Sequence, residues 1–103
     1  MIQGTTPTLI FNLPFSTDVI KSAEIAIQYT KNGKEMLIKK TLEECELGET
    51  SIWTMLTQEE TLQFPSKAFV LVQLRVMTTT GTVLATSPYT VTVKKLLARD
   101  VIE

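Results

Sequence analysis

Hydrophobic and polar residues alternate in short segments along most of the chain, beginning with residues 8–13. There Leu9, Phe11 and Leu13 share one side of the alternation, the period-two pattern of a strand with one buried face. Pro14 follows and lacks the N–H that would extend the strand. A cleavable export signal needs a basic start, an unbroken apolar run and a small-residue cleavage site, which this stretch does not have. We therefore predict an early strand and synthesis in the cytoplasm without a signal peptide.

A β-hairpin is predicted next. The run AEIAIQYT places every second residue on one apolar face, and Asn32 and Gly33 then supply the two positive φ angles of a type I′ turn. The alternating run KEMLIKK returns. The predicted buried face consists of Ala23, Ile25, Ile27 and Tyr29. Edge strands commonly carry lysines that prevent pairing with further strands, so the lysines of this hairpin do not require a nucleic-acid ligand. They are Lys31, Lys34, Lys39 and Lys40.

The middle of the chain combines an acidic connection with a strand and a helical turn. TLEECELGET is polar and contains Gly48, which predicts an irregular segment, and SIWTML predicts a strand. Thr57 stands three residues before Glu60, the spacing of a capping box. We expect one short helical turn that crosses between two sheets.

The longest alternating run is KAFVLVQLRVMT, which predicts the central strand. Gly81 marks the turn that follows it. The runs TVLATS and YTVTVKK then predict two strand segments interrupted by Pro88, which indicates a bulge, an edge strand or a strand that switches sheets. The predicted core face of the central strand consists of Ala68, Val70, Val72, Leu74 and Val76.

Seven or eight short strands with turn signals about every ten residues are typical of an antiparallel sandwich. We predict an all-β, immunoglobulin-like β-sandwich in one domain spanning residues 1–103. Residues 96–103 change character and form a candidate C-terminal docking tail.

Composition removes several classes of function. Ten basic and 11 acidic residues leave a net charge of -1, so we expect neither nucleic acid nor membrane as a partner. The chain has no histidine, which excludes Ser-His-Asp and Cys-His catalysis and most zinc hydrolases. We therefore expect no enzymatic activity, no cofactor and no metal site. Cys45 is the single cysteine and cannot form an intrachain disulfide.

The acidic connection raises the question of a calcium site, because oxygen ligands there could converge on a hard cation. No D-x-[DN]-x-[DN]-G spacing supports this, and a solvated acidic loop is favoured for Glu43, Glu44, Glu46 and Glu49. Acidic neighbours raise the pKa of a thiol, so Cys45 is expected to be a small, unreactive residue.

Trp53 is the only tryptophan, and alternation leaves its orientation open. If Ile52 and Leu56 face the core, Trp53 faces outward, and the opposite arrangement fits the pattern equally well. Large aromatic residues carry much of the burial in small domains and interfaces, so a core or protein-interface position is favoured over a sugar-stacking platform.

Two further groups of apolar residues are candidate contacts with other proteins. Phe69 and Leu71 occupy the side of the central strand away from the core, and an apolar second face requires cover. The tail adds Leu96, Leu97, Val101 and Ile102, for which packing on the same domain and contact with another subunit both remain open.

Four segments, QGTTPTLIFNLPF, NGK, LTQEETLQF and VQLRVMTTTGTVLATS, together resemble short proteins encoded among the tail genes of prophages in Gram-positive bacteria. The pattern Q-G-x-x-P-T-L-x-F at the opening strand is also similar to the N-terminal sandwich domain of phage upper baseplate proteins. That domain fixes receptor-binding components to a tail tip.

The resemblance implies a place in a phage tail and no reaction. Upper baseplate proteins continue into a helical stem or receptor-binding head, whereas this chain ends at Glu103, so an adaptor or decoration role is expected instead of host recognition. We expect a virion protein that binds tail or baseplate proteins or copies of itself. The alternative is a carbohydrate-binding module that recognises cell-surface glycans.

Overall fold

A computed structural model describes residues 1–97, which form two antiparallel sheets with eight strands in all. The small sheet has the order β1-β5-β4, and the large sheet has the order β3-β2-β6 with β7 and β8 both paired along the far side of β6. This confirms the predicted all-β sandwich. The strands are β1 (Thr8–Asn12), β2 (Ile20–Lys31), β3 (Lys34–Thr41), β4 (Glu46–Leu47), β5 (Ser51–Met55), β6 (Phe69–Thr78), β7 (Val83–Ala85) and β8 (Tyr89–Thr92).

The core lies between the inner faces of the two sheets. Alternate residues of β2 and β6 supply most of the large sheet's share, as their patterns predict. β1 and β5 cover them with Leu9, Phe11 and Ile52. The buried residues of the large sheet are Ala23, Ile25, Ile27, Tyr29, Val70, Val72, Leu74 and Val76.

The predicted hairpin is present as β2 and β3. Asn32 has φ 54° and Gly33 has φ 75°, the two positive angles that a type I′ turn requires. Lys31 pairs with Lys34 across this turn. The register of the whole hairpin follows from that pairing.

The crossover from the small sheet to the large sheet is the helix α1 (Gln58–Leu62). Its capping box is formed: the Thr57 hydroxyl accepts from the Glu60 N–H at 3.1 Å, and a Glu60 carboxylate oxygen accepts from the Thr57 N–H at 2.8 Å. Lys40 on β3 makes an ion pair with Glu60 at 2.7 Å. The helical turn is thereby tied to the hairpin.

The acidic connection is more regular than the sequence indicates. Residues Leu42–Glu44 form a 3-10 turn, and β4 then pairs Glu46 with Trp53 and Leu47 with Ile52. The Glu44 carboxylate accepts from the Thr41 N–H at 3.1 Å, which caps the turn. A second 3-10 turn, Thr17–Val19, precedes β2.

The interruption at Pro88 falls within one edge of the large sheet. β7 and β8 both stay on β6, so the chain does not switch sheets there. Between them Thr86 continues the contact with Leu74: its N–H donates to the Leu74 carbonyl at 2.9 Å, and its hydroxyl accepts from the Leu74 N–H at 3.0 Å. The predicted alternatives therefore reduce to an irregular edge strand.

Candidate interaction surfaces

Trp53 lies on the outer face of the small sheet. Its neighbours along the chain settle the orientation, because Ile52 and Leu56 are fully buried and Thr54 is 3% exposed. Trp53 itself is half-buried. A Cβ added at Gly48 would lie 3.2 Å from the Trp53 ring carbon Cζ3, so the indole packs closely over the Gly48 backbone. That contact accounts for its partial burial on an otherwise open face.

Two strongly exposed apolar side chains share this face. Ile10 stands directly opposite Trp53 in the register, and Met55 follows two residues later on β5. Ile10 and Met55 are each 58% exposed. We call Ile10, Trp53 and Met55 the Trp53 patch. Ile10 and Met55 were not among the predicted contact residues, although the period-two alternation of β1 and β5 places them on the same face as Trp53.

Phe69 and Leu71 lie on the outer face of the large sheet. Phe69 is 61% exposed, and Leu71 is half-buried. Leu71 pairs with Gln28 on β2, and Gln28 pairs in turn with Leu37 on β3, which is 54% exposed. We call Leu37, Phe69 and Leu71 the Phe69 patch.

The structure separates the predicted contact residues into two surfaces. The Trp53 patch and the Phe69 patch occupy the outer faces of different sheets, and these faces point in opposite directions across the core. A single flat partner cannot cover both patches. They are therefore independent candidate sites.

The tail residues differ among themselves. Leu96 is half-buried against the domain: a Cβ at Gly4 would lie 2.6 Å from a Leu96 methyl carbon and 3.2 Å from one of Leu62. Leu97 is 95% exposed. Among the four, Leu96 packs on its own domain and Leu97 is open to a partner, while Val101 and Ile102 lie outside the described residues.

The carboxylates of the acidic connection do not converge on a single site. Glu44 caps the 3-10 turn, whereas Glu46 belongs to β4. Within residues 1–97, no group of three or more potential ligand side chains is placed to hold a metal ion. Burial, with a smaller contribution from the Glu44 charge, raises the pKa of the Cys45 thiol. The thiol is therefore protonated, and a poor nucleophile, at neutral pH.

An open groove of about 650 Å³ lies beside the 3-10 turn Leu42–Glu44 at one end of the large sheet. Its lining includes Lys21, Glu43 and Arg75, and Arg75 is engaged by Glu24 in an ion pair at 2.7 Å. Ser22, Glu24 and Thr41 also line the groove.

In comparisons with known proteins, no family model, curated protein or solved structure matches this chain. The helices within residues 1–97 are too short to cross a membrane. The fold and the surface together define an antiparallel β-sandwich with an apolar patch on each outer face.

Proposed function

We propose that this chain is a non-enzymatic structural or adaptor protein of a phage tail or baseplate, located in the virion and acting through protein–protein association. The tail context comes from the resemblance of its four sequence segments to prophage tail-region proteins. The observation that carries the association mechanism is the exposure of Phe69, 61% on a sheet face that also presents Leu37 and Leu71.

The mechanism is rigid docking of a sheet face. Leu71 is paired with strands on both sides and Phe69 with Thr92 of β8, so both side chains are presented on a hydrogen-bonded backbone that does not need to reorganise on binding. A large aromatic side chain with an aliphatic neighbour is a common anchor at protein interfaces. Association costs less conformational entropy when the anchor is already held in place.

Incorporation into particles tests this function. Tagged wild-type protein and the variant Phe69→Ser are produced during phage assembly, and each is quantified in purified particles. We expect the variant to be depleted at least tenfold, because loss of an interface anchor typically costs more than about 1.4 kcal/mol. Phe69 is mostly exposed, so the variant keeps its fold, which circular dichroism verifies.

Leu47→Ser is the control, since Leu47 is an exposed apolar residue of the small sheet that lies outside both patches. Normal incorporation of this control together with loss of Phe69→Ser supports docking through the Phe69 patch. Normal incorporation of Phe69→Ser contradicts it.

A second candidate function is a carbohydrate-binding module, which the half-exposed indole of Trp53 favours. Asn12, Ser51 and Glu46 lie on the same outer face and could hydrogen-bond sugar hydroxyls. Because Trp53 is the only tryptophan, its fluorescence reports any stacking directly. A saturable change on titration with a cell-wall glycan, together with loss of glycan binding in Trp53→Ala measured by calorimetry, would favour this function. An unchanged spectrum across a broad glycan panel would eliminate it.

A further inference from the structure

The free edge of β3 has a side-chain pattern that is complementary to itself. Within residues 1–97, β3 pairs on one side with β2 and ends the large sheet on the other. It is eight residues long, and its first four residues are all exposed. An unpaired strand of this length presents a row of backbone donors and acceptors to any second strand.

The hairpin register determines which backbone groups are free. Residues that flank a two-residue turn form a hydrogen-bonded pair, and such pairs alternate with non-bonded pairs along the ladder. The even-numbered residues from Lys34 to Lys40 therefore bond to β2. The N–H and C=O groups of Glu35, Leu37 and Lys39 point to the free edge.

We propose that two copies of this chain associate through β3 edges, antiparallel, with the two-fold axis at Leu37. This register sets Glu35 opposite Lys39 of the second copy, twice, on either side of a Leu37–Leu37 pair. It also sets Met36 opposite Ile38 of the second copy on the other face. In this register the outward N–H and C=O groups of one copy face those of the other copy. The Leu37 pair and both Glu35–Lys39 pairs are therefore hydrogen-bonded.

The other in-phase registers of this segment are unfavourable. Centring on Glu35 or on Lys39 puts like charges directly opposite each other, which destabilises a sheet. Centring on Met36 or on Ile38 puts Leu37 opposite a charged residue. Edge lysines usually prevent pairing, but in the Leu37-centred register Lys39 meets a carboxylate.

The remaining charges of the strand are Lys34 and Lys40, which this register sets opposite each other in the two copies. Lys40 faces the other side of the sheet and is neutralised by Glu60 at 2.7 Å, with its side chain only 12% exposed. Glu35 accepts a hydrogen bond from Gln28, which holds its carboxylate on the outer face. Pairing also extends the row Leu71–Gln28–Leu37 across the axis and joins the Phe69 patches of two copies.

Self-association at β3 goes beyond the proposed function, because it rests on the strand alone and requires no tail partner. A chain that does not dimerise could still be a tail protein, and a chain absent from phage particles could still dimerise through β3. The first experiment is light scattering on the purified chain over a range of concentrations, where a dimer has twice the 11.5 kDa mass of the chain. A monomer at all concentrations up to about 1 mM would overturn the proposal.

Charge-reversal variants then test the register. Glu35→Lys and Lys39→Glu should each weaken the dimer about tenfold or more, because two complementary pairs become two like-charge pairs. An equimolar mixture of the two variants should restore it, since the lysine introduced at position 35 then meets the glutamate introduced at position 39, and on the other side the native Lys39 meets the native Glu35. The doubly substituted chain should also dimerise. Dimers that are insensitive to these changes, or that are not restored by mixing, would contradict β3 pairing.

Glu43→Lys and Lys21→Glu are the controls for net charge, because both residues are exposed and lie outside β3. Disulfide trapping in a Cys45→Ser background gives a second readout. Leu37→Cys should cross-link to itself, since hydrogen-bonded antiparallel partners have Cα atoms about 5.5 Å apart. Glu35→Cys alone should not, because its own copies lie about 13 Å apart in this register. Cross-linking of Glu35→Cys to itself would refute the register.

Discussion

The contact between the crossover helix and the hairpin depends on one carboxylate. Glu60 completes the capping box with Thr57 and also pairs with Lys40 at 2.7 Å, and the two side chains of the ion pair are only 22% and 12% exposed. Glutamine can also serve at this position of a capping box. The variant Glu60→Gln therefore removes the ion pair and spares the cap.

The expected loss of unfolding free energy is about 1 kcal/mol at pH 7. An exposed pair contributes up to about 1 kcal/mol, and partial burial with a charge-assisted hydrogen bond places this pair at the upper end of that range. In a domain of this size the loss lowers Tm by about 4–8 °C. Urea unfolding followed by Trp53 fluorescence measures it.

The pH dependence identifies the cause. Burial raises the pKa of Glu60, but hydrogen bonds from Lys40 and Thr57 and the Lys40 charge lower it by more, and the net pKa is below its ordinary value of 4.5. The stabilisation is therefore complete above about pH 4.5 and is lost as the pH falls through the folded-state pKa. The difference in unfolding free energy between wild type and Glu60→Gln should become smaller as the pH falls from 7 to about 3.

Glu59→Gln is the matched control, since Glu59 lies in the same first turn of α1 and is exposed. It should change the unfolding free energy by only a few tenths of a kcal/mol. A loss of unfolding free energy in Glu60→Gln that does not depend on pH, or that equals the loss in Glu59→Gln, would refute the assigned ion pair.

Three further predictions concern the packing near the termini and the thiol. Gly4→Ala should destabilise the domain by about 2 kcal/mol in thermal unfolding, because φ is 72° and the new Cβ would lie 2.6 Å from a Leu96 methyl carbon. Gln3→Leu should cost about 1–3 kcal/mol, since the buried Gln3 side chain donates to the Phe64 carbonyl at 2.6 Å and accepts from the Leu96 N–H at 3.2 Å. Cys45 should react with iodoacetamide more slowly in the folded protein than in urea at pH 8, because burial and Glu44 raise its pKa.

Each of these has its own comparison. Gly81→Ala shares a positive φ of 88° but meets no atom within 4 Å, so it should cost less than Gly4→Ala. Equal losses would contradict the contact with Leu96. Full stability of Gln3→Leu would show that the buried amide is dispensable, and equal alkylation rates in folded and unfolded protein would contradict the thiol assignment.

Local sequence signals predicted the parts of the fold that depend on neighbouring residues. Asn32 and Gly33 fixed a turn, Thr57 and Glu60 fixed the start of a helix, and the parity of β2 and β6 identified their buried faces. Each of these outcomes depends on backbone geometry within a few residues or on a strict period of two. Sequence was sufficient for them.

Features that depend on distant partners were not predicted. Ile2 forms a parallel bridge with Lys94, and β4 exists because Glu46 and Leu47 find β5. The orientation of Trp53 was open because both parities of its strand are apolar, and packing against the large sheet decided it. The separation of Trp53 from Phe69 follows from their positions in different sheets, which alternation does not encode.

The central claim is that this chain is a component of phage tails, and the most direct test is quantitative mass spectrometry of purified particles from the strain that encodes it. The account predicts peptides of this chain at a fixed ratio to tail proteins, unchanged through successive density-gradient steps. Absence from particles, with abundant protein in the same lysate, would contradict it.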